Sequence, residues 1–238
     1  MDAHRGPSQS EILRTLSVSE MLGGFAHEIA QPLNAIMIAA EVMQLKIERS
    51  QLSEIDKEFL VHRLNIVVSQ VERASHLVEK FRSFNRMEVN RLERANGAVL
   101  FGRVYELMEQ QFVGRGIRVL LERSESLPAL SRNLVIIEGA IVQALAFARD
   151  AVTVIGQWHE SHGMSYEKTL LVRIEGQHNV QTITLRWNQG EYPKAAHLPD
   201  PGRHGGLQIA SQLLTATNNS LRVKEGSVVI MLQSLPTE

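Results

Sequence analysis

Phe25-Ala26-His27-Glu28-Ile29-Ala30-Gln31-Pro32-Leu33-Asn34-Ala35-Ile36 is the stretch from which the rest of the chain can be read. Around it Leu22, Phe25, Ile29, Leu33, Ile36, Ala40, Met43 and Ile47 recur at steps of three and four, one apolar stripe at about 100° per residue. That spacing predicts a helix with a buried seam. His27 follows Phe25 by two residues, about 200° around the helix, and is expected to face solvent. Pro32 removes a backbone donor and predicts a loosened or kinked turn just after His27.

Outward from this stretch, the helical pattern begins near Ser8 after a loose polar arm and ends near Ser50. Ser17 to Glu20 reads S-x-x-E, either a capping box or a polar turn inside a longer helix, and the longer helix is the expectation. Ser53 is placed to cap a second helix, with Glu54 and Asp56 near its positive end. Its stripe is Leu60, Leu64, Val67, Val71, Ala74, Leu77 or Val78, Phe81 and Phe84, close to a heptad repeat. His62 and His76 on this helix read as surface residues. Two such helices make a hairpin that buries only one side of each seam, so a second copy is expected to complete a dimeric four-helix bundle. The homodimer is therefore the expected state.

Composition narrows the class. The chain has 238 residues, 44% hydrophobic and 21% charged, which suits a globular protein of one large or two modest domains. A net charge of -1 offers no basic field for nucleic acid, so no nucleic-acid partner is expected. Without cysteine, disulfides, thiolate nucleophiles and cysteine-type zinc sites are excluded. No run of about 18 apolar residues occurs and the N-terminus lacks an apolar signal core, so no membrane partner is expected and the expected location is cytoplasmic.

Residues 87–97 are charged and end in Asn96-Gly97, read as a joint between domains at 1–95 and 96–238. Beyond it the pattern becomes mixed: a helix over Val104–Phe112, a break at Gly114–Gly116 and a strand over Ile117–Glu122. A long helix over Leu134–Val154 follows, then strands Lys168–Glu175 and Gln181–Trp187, a helix Gly206–Thr217, and a hairpin of Leu221–Lys224 with Val228–Leu232 about Glu225-Gly226. The expected fold class is α+β.

His27-Glu28-Ile29-x-x-Pro32-Leu33 resembles the H-box of bacterial sensor histidine kinases, and the segment Val71–Arg86 is similar to the second helix of their dimerisation domain. Gly116-Ile117-Arg118-Val119, Ser126-Leu127-Pro128 and Ala148-Arg149-Asp150-Ala151 resemble their ATP-binding domain. The resemblance implies a helical hairpin followed by a Bergerat-like α/β sandwich, an open mixed sheet layered against helices. It implies that His27 is the phosphoacceptor, that Glu28 on the same exposed face accepts the proton of the other ring nitrogen, and that Gln31 matches the position that orients water for dephosphorylation.

The second domain departs from that family. Phe147 stands where the family holds magnesium with an asparagine, and Gln143 replaces a second asparagine one turn earlier. Asn188 replaces the adenine-contacting aspartate and Tyr192 the second glycine of the next element, with Gly190 kept. No asparagine lies between Leu134 and Gly156, and no aspartate between Ala151 and Pro199. Losing two such contacts, each worth about 1.5–3 kcal/mol, predicts ATP binding weakened by several orders of magnitude. Gly202–Gly206 can also be read as a phosphate loop at a helix start.

These features predict a histidine phosphotransfer protein that exchanges phosphoryl between His27 and the aspartate of a response-regulator receiver domain. No cofactor or metal is expected in this chain, magnesium being supplied by the receiver. A donor sensor kinase is a further candidate partner. The alternatives are a non-catalytic dimeric scaffold that binds a receiver or kinase, and a divergent ATP-dependent histidine kinase.

Overall fold

The computed structural model describes residues 8–49, 53–85, 95–130, 134–193 and 199–234. Two helices lead, α1 (Gln9–Arg49) and α2 (Glu54–Asn85), followed by α3 (Gly97–Val113), β1 (Arg118–Arg123), α4 (Leu134–Ser161), β2 (Thr169–Gln177), β3 (Val180–Trp187), α5 (Gly205–Thr215), β4 (Ser220–Lys224) and β5 (Ser227–Gln233). The class is α+β, a helical hairpin before a mixed sheet with helices, as expected. Among the described residues no helix is long and apolar enough to cross a membrane.

The chain forms two compact units, Leu22–Met87 and the combination of Met1–Met21 with Glu88–Glu238. The sequence places residues 1–95 together in the hairpin domain. The described residues up to Met21 pack instead with the α/β unit, because Leu13, Ser17 and Met21 are buried there. α1 continues unbroken through Pro32, so S-x-x-E lies inside the long helix and does not start one.

In the hairpin unit, Ser53 caps α2 as its sequence suggests. The amide of Asp56 donates to Ser53 Oγ at 3.2 Å, and the Asp56 carboxylate accepts from the Ser53 amide and hydroxyl. Lys46 Nζ stands 2.6 Å from the same carboxylate and ties α1 to α2 beside the turn. Together Lys46, first, and Ser53 hold the Asp56 carboxyl down at about 2. The predicted stripes are split in two. On α1 the buried positions are Glu28, Pro32 and Ala39, while Leu22, Leu33 and Ile47 stay exposed. On α2 Leu60, Val67, Ala74 and Leu77 are half-buried, and Leu64, Val71 and Val78 are exposed. One neighbouring helix can cover only part of so wide an apolar arc. Phe81 and Phe84 lie outside the residues whose side chains are described.

In the α/β unit the sheet order is β1-β2-β3-β5-β4, with β1 parallel to β2 and every other pair antiparallel. Alternation puts Leu170, Val172 and Ile174 of β2, Ile183 and Leu185 of β3, and Val228, Ile230 and Leu232 of β5 on one buried face. The register confirms the shared face: Val172 pairs with Leu185, Ile174 with Ile183, and Ile183 with Ile230. The helices α3, α4 and α5 cover that face, giving two layers. Asn96 is the N-cap of α3, its side chain accepting from the Val99 amide at 3.0 Å, so the dipeptide read as a joint starts a helix. Gly226, at φ 69°, makes the tight turn between β4 and β5.

α4 is the hub of this unit. Every residue from Ile137 to Arg149 is buried, so the helix has no solvent face over those turns. Among them Glu138 is 1% exposed, its nearest cation Arg103 Nε at 3.9 Å and its Oε1 without a hydrogen-bond partner. Burial raises its carboxyl to about 7, against the smaller lowering influence of Arg103. A carboxyl raised on folding costs stability as pH climbs from its unfolded value, about 4.3, toward its folded one. Glu138→Gln is therefore expected to raise the unfolding free energy at pH 8 by about 2 kcal/mol and to change it little at pH 4, read by urea denaturation at both pH values.

Candidate functional site

His27 is exposed on α1, as the helical phase predicts. Gln31, one turn on, brings its Nε2 to 3.4 Å from His27 Nε2. With the amide donating, the ring nitrogen that accepts is Nε2, and the proton sits on Nδ1. Glu28 departs from expectation. It is 8% exposed and lies on the inner side of α1 with Pro32, not on the open face with the imidazole. The reason is the helical step of about 100°, which carries a neighbour of an exposed residue to the edge of the seam. Pro32 has no amide hydrogen to return to the Glu28 carbonyl, so the backbone of the turn after His27 lacks one bond.

In the α/β unit, Gln143, Phe147 and Tyr192 are buried, whereas Asn188 and Gly190 are exposed. The Phe147 ring stands edge-on to Trp187, centroids 6.2 Å apart, and to His204 at 5.8 Å. Its environment is aromatic and buried, and a phenyl ring has no oxygen for a divalent cation. Gln143 is buried against Gly206, where a Cβ would collide with the Gln143 amide. Asn188 Oδ1 accepts from the Gly190 amide at 2.9 Å, and the Asn188 carbonyl accepts from Tyr166 Oη at 2.5 Å. Gly190, at φ 54°, lies so close to His159 that a Cβ would come within 2.6 Å of Nε2. Tyr192 is buried against Trp158, ring centroids 5.5 Å apart.

His159 holds this loop. Its Nδ1 lies 2.9 Å from the Ile155 carbonyl and its Nε2 accepts from the Glu191 amide at 3.3 Å, while its ring stacks on Tyr166. In the Gly202–Gly206 stretch, part of the hydrogen-bonding capacity is already used. The Gly202 amide donates to Asp200 Oδ1 at 2.8 Å, and the Leu207 amide donates to His204 Nδ1 at 3.2 Å in the N-cap of α5. The Gly202 amide is thus spent on the Asp200 carboxylate, and the Leu207 amide beyond the stretch on the cap of its own helix. Among the described residues no group of three or more His, Asp or Glu is placed to hold a metal ion.

Sequence reasoning missed Arg149 and its partners. The Arg149 guanidinium is buried, with Glu20 Oε1 at 2.6 Å, Asp150 Oδ1 at 2.7 Å, and a bond to Gln111 Oε1. Burial pulls its pKa down, but Asp150 and Glu20 more than offset this and leave it raised. The Gln111 side chain also donates to the Glu20 carbonyl at 3.0 Å. The signal was available in the sequence as the lack of any polar face along α4 between Ile137 and Ala148, which requires a further element to cover it.

Comparison with known proteins now bears on His27. Residues 17–90 match the His Kinase A (phospho-acceptor) domain. Solved structures with similarity include the histidine kinase AdeS of Acinetobacter baumannii, at 16% identity and TM-score 0.39 over 87% of this chain and 97% of that one. Another is the histidine kinase ThkA in complex with the response regulator protein TrrA, at 18% identity and TM-score 0.41 over 94% of this chain and 63% of that one. The catalytic domain of ThkA alone matches at 12% identity and TM-score 0.41, over 60% of this chain and 97% of that one. No curated protein matches the sequence. His27 is thus exposed on the first helix of a segment, residues 17–90, that matches the phospho-acceptor domain of histidine kinases.

Proposed function

We propose that the chain is a histidine phosphotransfer protein of a two-component relay, exchanging a phosphoryl group between His27 and the aspartate of a response-regulator receiver domain. One observation supports the reading: His27 is open on a segment that matches the phospho-acceptor domain, while Phe147, at the position where the resemblance calls for a magnesium-binding asparagine, packs against Trp187 and His204. Phe147, Asn188 and the His159-held loop do not fit a magnesium nucleotide, so no step is routed through ATP.

The step balances within the two partners. The His27 Nε2 lone pair attacks phosphorus, the N–P bond forms as the aspartyl O–P bond breaks, and the aspartate leaves as a carboxylate. The Nδ1 proton of the phosphoimidazole then passes to a base. Glu28 is the assigned proton acceptor and orienting group, although its burial requires it to act from the edge of the seam. Gln31 sits on Nε2 and must swing aside for attack; in the reverse sense it is placed to orient water for dephosphorylation. The receiver supplies the magnesium that offsets the charge of the transferring group.

The exposed apolar residues Val61, Leu64, Val68, Val71 and Val78 on α2, with Leu22, Leu33 and Ile47 on α1, support a second copy completing a four-helix bundle. The protein is then a homodimer in its working state. Sedimentation equilibrium is expected to give twice the chain mass, and Leu64→Glu with Val71→Glu is expected to give the chain mass. A wild-type monomer would remove the dimer from this reading.

Incubation with radiolabelled ATP alone is expected to leave the protein unlabelled, and incubation with a phosphorylated receiver is expected to label it at His27. His27→Ala abolishes the label, and Glu28→Gln slows transfer by about a hundredfold. Label from ATP alone would identify an autokinase and overturn the proposal. No label under either condition would leave a non-catalytic scaffold.

A further inference from the structure

α4 is buried on every side from Ile137 to Arg149, and part of that cover comes from the N-terminal segment of α1. Leu13, Ser17 and Met21 lie at steps of four on one side of the helix, and all three are buried. Leu13 sits on Gly139, where an added Cβ would stand 3.1 Å from its side chain. Ser17 Oγ donates to the Gly139 carbonyl and accepts from Gln143 Nε2, each at a long 3.4 Å. At the outer end Gln9 meets Gln212 of α5, again at 3.4 Å and exposed. These polar contacts are long. The strong link is Glu20, whose carboxylate stands 2.6 Å from Arg149 and whose carbonyl accepts from Gln111.

Arg149 is arranged so that this link can open. Its side chain is 8% exposed and Glu20's is 27%, so the pair is mostly shielded from solvent when closed. On its other side Asp150, side chain 42% exposed, stays bonded through Nε and Nη2. If Glu20 leaves, the guanidinium keeps Asp150 and Gln111 and is not left as an unpaired buried charge, the outcome that makes most buried ion pairs costly to break. Both states therefore satisfy the cation. The same helix carries His27 seven residues beyond Glu20, about two turns along.

We propose that Gln9–Met21 is a latch, held on α4 by the Glu20–Arg149 pair and released from it, and that its release changes the phosphotransfer rate at His27. The first half concerns the α/β unit alone; the second half rests on the phosphotransfer reading. In the closed state Leu13 and Met21 are covered and the first three turns of α1 are fixed. In the open state those turns are free to fray, and the acceptor helix loses its anchored start.

The test uses the full chain. Hydrogen exchange followed by mass spectrometry is expected to show slow exchange in residues 9–21 of the wild type. Glu20→Ala and Leu13→Ser release the segment by independent routes, one through charge and one through packing. Each is expected to speed exchange there by about tenfold or more, with residues 169–187 of the sheet unchanged. Unchanged exchange in Glu20→Ala would overturn the latch. Transfer to His27 is then timed at saturating receiver, at a temperature where melting curves show both variants folded. A common rate change of about threefold or more in both supports the coupling. Faster exchange with an unaltered transfer rate would overturn the coupling and leave only a structural cover. A wild-type protein that transfers nothing would overturn the phosphotransfer reading, while the exchange result still decides the latch.

Discussion

The burial of α4 on all sides is the constraint on which the α/β unit depends. A helix with thirteen consecutive buried residues, Ile137 to Arg149, must be enclosed by a sheet on one face and by helices on the others. The sheet supplies Leu170, Val172, Ile183, Leu185 and Ile230, and α3, α5 and the start of α1 supply the rest. Polar groups inside such a shell must find partners. Gln143 does so with Ser17, and Arg149 with Glu20, Gln111 and Asp150. Glu138 Oε1 has no hydrogen bond and only Arg103, at 3.9 Å, beside it, and burial raises its carboxyl. The same enclosure explains why the small residues Gly139 and Gly206 stand where neighbouring elements come closest.

Closure of α4 has a chemical consequence. A helix that serves a magnesium nucleotide must leave one face open and carry oxygen donors on it. Phe147 gives up the donor and gains packing, since full burial of a side chain of its kind stabilises by about 1.5–3 kcal/mol. Trp187 and His204 complete the aromatic contact, and His204 also caps α5. The loop after β3 is held by His159, through a side chain about three and a third turns beyond Phe147 on α4. Phe147, Trp187, His159 and His204 are thereby committed to contacts within the unit.

Much of this was legible from residue identity and spacing. Strands β2 to β5 show the alternation of a one-sided sheet, so their expected limits fall within two residues of those observed. The start of α3 was not legible because Asn96-Gly97 is equally good as a turn and as an N-cap, and only the accepted Val99 amide distinguishes them. The exposed setting of His27 followed from helical phase. Glu28 did not follow, because a residue at the edge of a seam is assigned by its neighbour helix and not by its own helix. The closure of the nucleotide positions was legible only in part. Phe147 and Asn188 depart from the pattern that the sequence resembles, but the contacts of His159 with Glu191 and of His204 with Phe147 join residues 32 and 57 positions apart. The docking of Gln9–Met21 was hidden for the same reason: Ser17 and Glu20 pair with residues more than a hundred positions away.

The split stripes of the hairpin connect the two kinds of evidence. On α2, positions 60, 67, 74 and 77 are half-covered, whereas 61, 64, 68, 71 and 78 are exposed although they are equally apolar. A single hairpin could have placed polar residues on that second arc at no cost to its own core. Retaining five exposed branched aliphatic residues there works against solubility unless they are covered. The cover must itself be a long apolar helical face in register with α2, and α1 and α2 of an identical chain supply such a face by two-fold symmetry. The two arcs thus differ: the first is partly covered within the hairpin, and the second is the apolar surface that the proposed dimer would cover. His27 belongs to neither arc, and its imidazole stays exposed on α1.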